Sequence, residues 1–418
     1  MTAWGGVSCR GLGVSATKAL LAAFLLCTGE GQAPLARPQL APASSPAVAT
    51  ESKVRPIGPE SYAGDAACRS CHRERVEGHL GTAHHLTSQP ANEHTIAGKF
   101  STDENVLKTS NPELFFRMEA NSRGYFQTAV EGIAPYLTSR SERIDFVIGS
   151  GRKGQTYLFW KGDQLFELPV SFWIELGTWA NSPGYTDGTA NFNRAIVPRC
   201  LECHATSFES RPPPENRFNK ASYVLGISCE KCHGPGREHV SRYESKSAPP
   251  IKDGIVNPAK LSRDRQVDLC AWCHAGQGQA LAPAFSYLPG ERLDDYLALP
   301  HPGPAVQVDV HGSQVELLKR SRCFQSSTMT CSTCHDVHLP QHDLAVFSQR
   351  CLTCHKVENC GVYPKLGRSI ASNCIDCHMP NQQTSLIVLA LNGKKVAPKV
   401  RNHWIKIYPE HGAPDSKN

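Results

Sequence analysis

Fourteen cysteines of the 418-residue chain form seven pairs, each with two residues between its members and a histidine directly after it. The sets are Cys68, Cys71 and His72; Cys200, Cys203 and His204; Cys229, Cys232 and His233; Cys270, Cys273 and His274; Cys331, Cys334 and His335; Cys351, Cys354 and His355; and Cys374, Cys377 and His378. The C-x-x-C-H pattern is the attachment signature of c-type haem. Two thiols about a helical turn apart reach the two vinyl groups of one porphyrin, and the adjacent histidine meets the iron from the same face. Seven covalently attached haems c, with seven irons, are therefore expected. Zinc sites also use C-x-x-C pairs, but a structural zinc takes four ligands and does not require a histidine after every pair. Disulfides suit an exported chain, yet they too leave the seven histidines unexplained.

A low-spin electron-transfer haem needs a second axial ligand. The chain has four methionines. Met1 is the initiator, Met118 lies in a strand-like segment, and neither Met329 nor Met379 is well placed for its neighbouring motif. Bis-histidine ligation is the expectation, with the low potentials that distinguish it from Met/His haems. Of the histidines outside the motifs, His84 or His85, His239, His311, His338 and His403 are the strongest candidates. His239 and His338 follow a proximal histidine so closely that each is expected to serve a neighbouring haem. His301 is a weaker candidate. His79, His94, His342 and His411 read as surface residues. Five good candidates and a weaker one do not comfortably supply seven irons, so one open haem is the sequence's main hint of catalysis.

Cys323 and Cys360 remain outside the motifs. An isolated pair in an oxidising compartment tends to bridge, and a loop of 38 residues closed this way gains about 3–4 kcal/mol, less any strain. Two buried free thiols are the alternative.

These residues need a scaffold. The first and second motifs start 132 residues apart, whereas later ones start 20 to 61 apart. The long gap is strand-like. Leu114–Met118 and Tyr125–Ala129 flank a hairpin signal at Asn121–Gly124, and Gln155–Trp160 and Gln164–Val170 flank another at Lys161–Asp163. A small antiparallel insertion of three to five strands is expected at about residues 110–170. From Cys200 onward short helices carry the motifs between Gly/Pro loops, with a further helix over Gln314–Ser321 and a late strand and turn over 386–393. The fold class is thus a mostly irregular/α multihaem arrangement, with short helices around stacked haems, plus that β insertion. Motifs every 20 to 30 residues place porphyrins in near contact, which reads as a relay.

At the N-terminus, Arg10 and Lys18 precede the apolar run Ala19–Cys27, which is too short to span a bilayer. Residues 1–33 read as a signal peptide, with cleavage near Ala33 or Ala36, and 34–60 as a Pro/Ala-rich linker. Residues 61–110 form an N-terminal haem segment, 111–198 the β-rich insertion, 199–408 a haem-dense domain with six motifs, and 409–418 a tail. Lipidation of Cys27 competes with cleavage, although Leu26 is a poor fit before a lipid-anchored cysteine.

Apolar residues make up 40% of the chain and aromatics 8%, low for a globular protein. Porphyrins supply the buried apolar surface that is missing. The formal charge is +6, but basic and acidic residues are interspersed, which argues against nucleic acid as a partner. Loss of Arg10, Lys18 and Glu30 leaves +5. Each ferric haem with ionised propionates adds about −1, which brings the assembled protein to about −2. The glycine-rich Gly149–Gly154 stretch lacks the Lys-Ser/Thr end of a phosphate loop and reads as a turn. No serine triad or nucleotide fingerprint is present.

The motifs also carry a family resemblance. SYAGDAACRSCH with GTAHH after it, GSGRKGQTYLFWKGDQLFELPVSFW, GISCEKCHGPGREHV, SRCFQSSTMTCSTCHDVH, CLTCHKVENC, CIDCHMP and NHWI follow one another in the order of exported bacterial multihaem cytochromes with a cytochrome c-552/4-type domain. The chain resembles that group over residues 61–408. The resemblance implies a periplasmic or cell-surface role in electron transfer. It implies His84, His239, His338 and His403 as distal ligands, His311 less firmly, and Cys323 with Cys360 as an extra cysteine pair. Arg152-Lys153 departs from the group, where many relatives have a histidine in the glycine loop. No lysine-ligated C-x-x-C-K haem is present, which counts against nitrite reduction. Three functions remain open. They are an electron carrier between redox proteins, an oxidoreductase acting on a small nitrogen or sulfur species at one open haem, and a subunit of an extracellular filament. Membrane association, through a complex or a lipidated Cys27, is a further expectation.

Overall fold

The computed structural model describes residues 56–245, 254–276, 278–299, 307–309, 312–384, 388–391 and 394–408. The signal peptide, most of the linker, the tail, Cys27, His301, His311 and His411 lie outside the described residues. The first motif sits on helix α1 (Asp65–Leu80), whose backbone leaves helical geometry at His72. A short turn then leads into eleven strands: β1 (Ser88–Pro90), β2 (Val106–Lys108), β3 (Leu114–Asn121), β4 (Gly124–Ile133), β5 (Tyr136–Arg143), β6 (Phe146–Ile148), β7 (Gly154–Lys161), β8 (Gln164–Glu167), β9 (Val170–Trp173), β10 (Thr178–Asn181) and β11 (Arg194–Ala195).

Both expected hairpins form. Asn121 pairs with Gly124 and Lys161 with Gln164, each across two residues, and Gly162 takes the positive φ such a tight turn needs. The β part is larger than expected, however. One antiparallel sheet runs β2-β3-β4-β5. A second, seven-stranded sheet runs β1-β6-β7-β8-β11, with β9 paired to β7 and β10 to β9. Of the described residues 27% are in strands and 31% in helices, so "mostly irregular/α" understates the strands. Three-residue pieces such as β1, β2 and β6 are too short to show a period.

Alternation along β6 and β7 explains the layering. Val147, Tyr157 and Phe159 point into a core shared with Phe116, Met118 and Trp179 between the two sheets. Phe146, Ile148 and Leu158 point the opposite way, into a second core with Leu201, Phe208, Phe218 and Phe285 of the haem-dense part. The insertion is thus one wall of the haem region. Phe116 is fully buried, and Phe116→Ala is expected to cost about 3–5 kcal/mol. Denaturant unfolding checks this, and a loss under about 1 kcal/mol would mean that the sheets do not share this core.

Beyond the sheets come α2 (Pro198–His204), a hairpin of β12 (Ala205–Ser210) with β13 (Phe218–Leu225), α3 (Cys229–His233), α4 (Arg237–Glu244), α5 (Arg263–His274), α6 (Gln314–Lys319), α7 (Arg322–Gln325), α8 (Leu344–Cys351), α9 (Tyr363–Leu366) and α10 (Ile375–His378). Helices α2, α3, α5 and α10 each end on a motif histidine. Cys331–Thr333 forms a single 3-10 turn, and the sixth motif begins where α8 ends. The expected helix after 314 stops at Lys319, and the late strand is the hairpin Leu389–Leu391 with Lys394–Val396.

Candidate functional site

A continuous cavity of about 2300 Å³ runs through the haem-dense part, lined by cysteines and histidines of the second to seventh motifs and by His84, His338 and His403. Short segments packed in pairs build it. Helix α1 packs on α3, α2 on α5, α5 on the Cys331–Thr333 turn, and α8 on α10. The same pairs bring thiols together: Cys68 with Cys229, Cys203 with Cys273, Cys270 with Cys331, and Cys351 with Cys374. Motif 1 therefore neighbours motif 3. Motif 4 lies between motifs 2 and 5, and motif 6 neighbours motif 7.

Three histidines from outside the motifs face three motif histidines. The ring centres of His84 and His274 are 6.1 Å apart, those of His338 and His233 6.1 Å, and those of His403 and His335 6.3 Å. A metal–imidazole bond of about 2 Å on each side, with each nitrogen roughly 1.1 Å from its ring centre, puts the two centres of a bis-histidine iron about 6.2 Å apart. All three pairs fit that spacing. Each crosses between motifs, as expected for His338, whose own motif histidine is His335. His84, not His85, is the residue of the pair that faces a motif.

Four histidines, among them His233 and His403 of the pairs, have Nδ1 held as ligation through Nε2 would require. Nδ1 of His233 lies 2.8 Å from the Val256 carbonyl, that of His378 2.9 Å from Lys406 O, that of His403 3.1 Å from Arg401 O, and that of His204 3.0 Å from Thr87 Oγ1. Burial, aided by neighbouring imidazoles, pushes His84, His274 and His403 down to about 4. Burial also lowers His335 and His338. These rings are neutral at ordinary pH, the form that binds a metal.

The cavity fits haem and not a bare ion. Among the described residues no group of three or more His, Cys, Asp or Glu is placed to hold a metal ion, so a paired iron needs its other donors from a macrocycle. The wall also carries two buried donors with no protein partner, Trp272 Nε1 and Tyr287 Oη. A haem carboxylate is an acceptor suited to both.

The close packing requires glycine before the third motif. A Cβ on Gly226, which leads into the third motif, would fall 2.1 Å from the His85 carbonyl oxygen, and its φ is +67°. Only glycine fits there.

The remaining candidates lie elsewhere. His85 sits against Asp65, Nδ1 to Oδ2 3.5 Å. His239, on α4, packs its ring on Tyr243 at 4.7 Å. His94 and His342 are exposed, as expected, and an Arg152 nitrogen of the glycine loop lies 3.4 Å from the His342 ring. His79 was expected at the surface but is only 8% exposed. A lone histidine on a polar helix gives no sequence signal of the loops that cover it. Cys323 lies beside Cys334 and Cys351, and Cys360 beside Cys374. In the structure the two are half-buried and not joined to each other.

Residues 181–234, which span the second and third motifs, match the family described as cytochrome c554 and c-prime. The chain shares its fold with the outer cell wall cytochrome OcwA, at TM-score 0.50 and 16% identity, over 84% of this chain and 81% of that one. An undecahaem cytochrome from the S-layer of Carboxydothermus ferrireducens aligns at TM-score 0.38 and 16% identity, over 85% of this chain and 53% of that one. No curated protein matches the chain.

Proposed function

We propose that this multihaem c-type cytochrome carries seven haems and relays electrons between redox proteins in the periplasm or at the cell surface. The observation that carries the reading is the set of three histidine pairs at bis-histidine spacing along one continuous cavity. Haem supplies reversible one-electron chemistry at iron with no bond to a substrate. The chain's residues do the rest. The fourteen motif cysteines fix each porphyrin covalently. His84, His338 and His403 would supply second ligands to irons held by His274, His233 and His335. The apolar sheet wall around Ile148, Leu158 and Phe172 excludes water.

The packing order supports a route. Motif 4 sits between motifs 2 and 5, which makes it the junction of the array. His239, and His311 among the undescribed residues, are reserved for irons whose second ligand is not set by the three pairs. Residues 1–33 direct export. Among the described residues no helix is long and apolar enough to cross a membrane, and association with one runs through a complex or through Cys27. Likeness of fold to an outer cell wall cytochrome supports the cell-surface location.

Haem quantification against intact mass is expected to give seven haems per chain. Redox titration is expected to be reversible at low potential, with low-spin signals in electron paramagnetic resonance and no turnover of nitrite, hydroxylamine or tetrathionate. A persistent high-spin haem together with turnover of one of these would replace the carrier by an enzyme.

A further inference from the structure

His79 lies at the C-terminal end of α1, buried, with neither ring nitrogen free for iron. Its Nε2 is 2.7 Å from the carbonyl oxygen of Ile227, and its Nδ1 is 3.2 Å from that of Val337. Ile227 leads into the third motif, two residues before Cys229. Val337 directly precedes His338. With Nε2 donating to Ile227 at the shorter distance, Nδ1 faces the Val337 carbonyl and the Thr82 hydroxyl, 3.4 Å away, and the imidazole is wedged between the two backbone segments that deliver His233 and His338, whose rings face each other at 6.1 Å.

The rest of the helix end seats the same loop. A Cβ on Gly78 would fall 2.6 Å from His338 O and 2.7 Å from a Leu339 methyl, and one on Gly81 would fall 3.1 Å from Pro340. The His338–Pro340 segment has no helix or strand of its own. Locally, it is held by the His338 amide donating to Asp336 Oδ1 at 2.9 Å. A ligand on such a loop needs an outside brace to keep its bond length.

We infer that His79 is a positioning residue for the third haem site, clamping the His338 loop to the backbone before Cys229 so that both rings stay at ligating distance. The inference rests on the assignment of His233 and His338 as an axial pair. It gives a role to a histidine of the GTAHH region that binds no iron itself, and a reason for glycine at position 78.

The test uses the full haem-loaded protein, read by electron paramagnetic resonance and redox titration. His338→Ala is expected to convert one haem equivalent to high spin. His79→Ala is expected to convert a fraction of that same equivalent and to move the same midpoint. Gly78→Ala keeps the imidazole but pushes His338, and is expected to move that signal too. His79→Gln, which keeps an N–H donor for the Ile227 carbonyl, is expected to recover part of it. Val76→Ala, a buried change on the same helix that leaves the imidazole and Gly78 in place, is expected to lower the melting temperature without either spectral change. Unchanged spectra and midpoints in His79→Ala, alongside a changed His338→Ala, overturn the positioning role. Unchanged spectra in His338→Ala overturn the axial pair and the positioning role with it.

Discussion

Replacement of His403 by methionine raises the midpoint potential of one haem by on the order of 0.1–0.2 V, a fraction of the roughly 0.8 V range that axial ligands span. Methionine withdraws electron density from iron relative to imidazole and stabilises the reduced state. Alanine at the same position would leave an iron held by His335 without this proposed second ligand, and one haem equivalent is expected to turn high spin. The effect is large because little else can substitute. His403 is packed into the cavity opposite His335. Its segment is also pinned, since Ser321 Oγ accepts the Ile405 amide at 2.8 Å and donates to the His403 carbonyl at 3.3 Å. A redox titration that resolves the individual midpoints, with paramagnetic resonance on the oxidised protein, reads both variants. Seven unchanged midpoints and an unchanged low-spin spectrum would place His403 outside the ligand set.

The ease with which this site could be read varies with how local its physics is. Covalent attachment fixes two cysteines and a histidine within five residues, so the sequence displays every motif. The partner histidines depend on tertiary packing. His84 and His338 stood out by proximity to motifs, and His403 by a C-terminal segment that folds back as expected. Which iron each serves needs the packing of α2 on α5 and of α5 on the turn at Cys331. His79 was misread because its burial comes from residues 148 and 258 positions away. The β hairpins were legible from their turns. The joining of β1, β6 and β11 into one wide sheet was not, since strands of two or three residues carry no period. The twofold use of β6 and β7, one face to the sheet core and one to the haem wall, shows in the sequence only as unbroken apolar runs.

Substitution of Glu230 by alanine is expected to lower the unfolding free energy by on the order of 3–5 kcal/mol, a large part of the 5–15 kcal/mol typical of a folded domain. Glu230 lies inside the third motif, where its side chain has no part in haem attachment, and it is 3% exposed. Its Oε1 accepts the amides of Ala63 at 2.8 Å and Gly236 at 2.7 Å, and its Oε2 that of Gly64 at 2.9 Å. Gly64 and Gly236 are the N-caps of α1 and α4, and neither helix start has a side-chain cap of its own. One carboxylate thus caps two helices and places a negative charge at the positive ends of both dipoles. Alanine leaves three amides without an acceptor, and each buried donor left unpaired costs about 1–3 kcal/mol. Glutamine is expected to cost about half as much. Its single oxygen still serves Ala63 and Gly236, but its NH2 then faces the Gly64 amide, donor against donor. Because α1 carries the first motif and α3 the third, the loosened contact lies between those two haems. Denaturant midpoints of the haem-loaded variants decide the matter. An alanine variant within about 1 kcal/mol of the parent would show that water caps these helix starts as well as the carboxylate does.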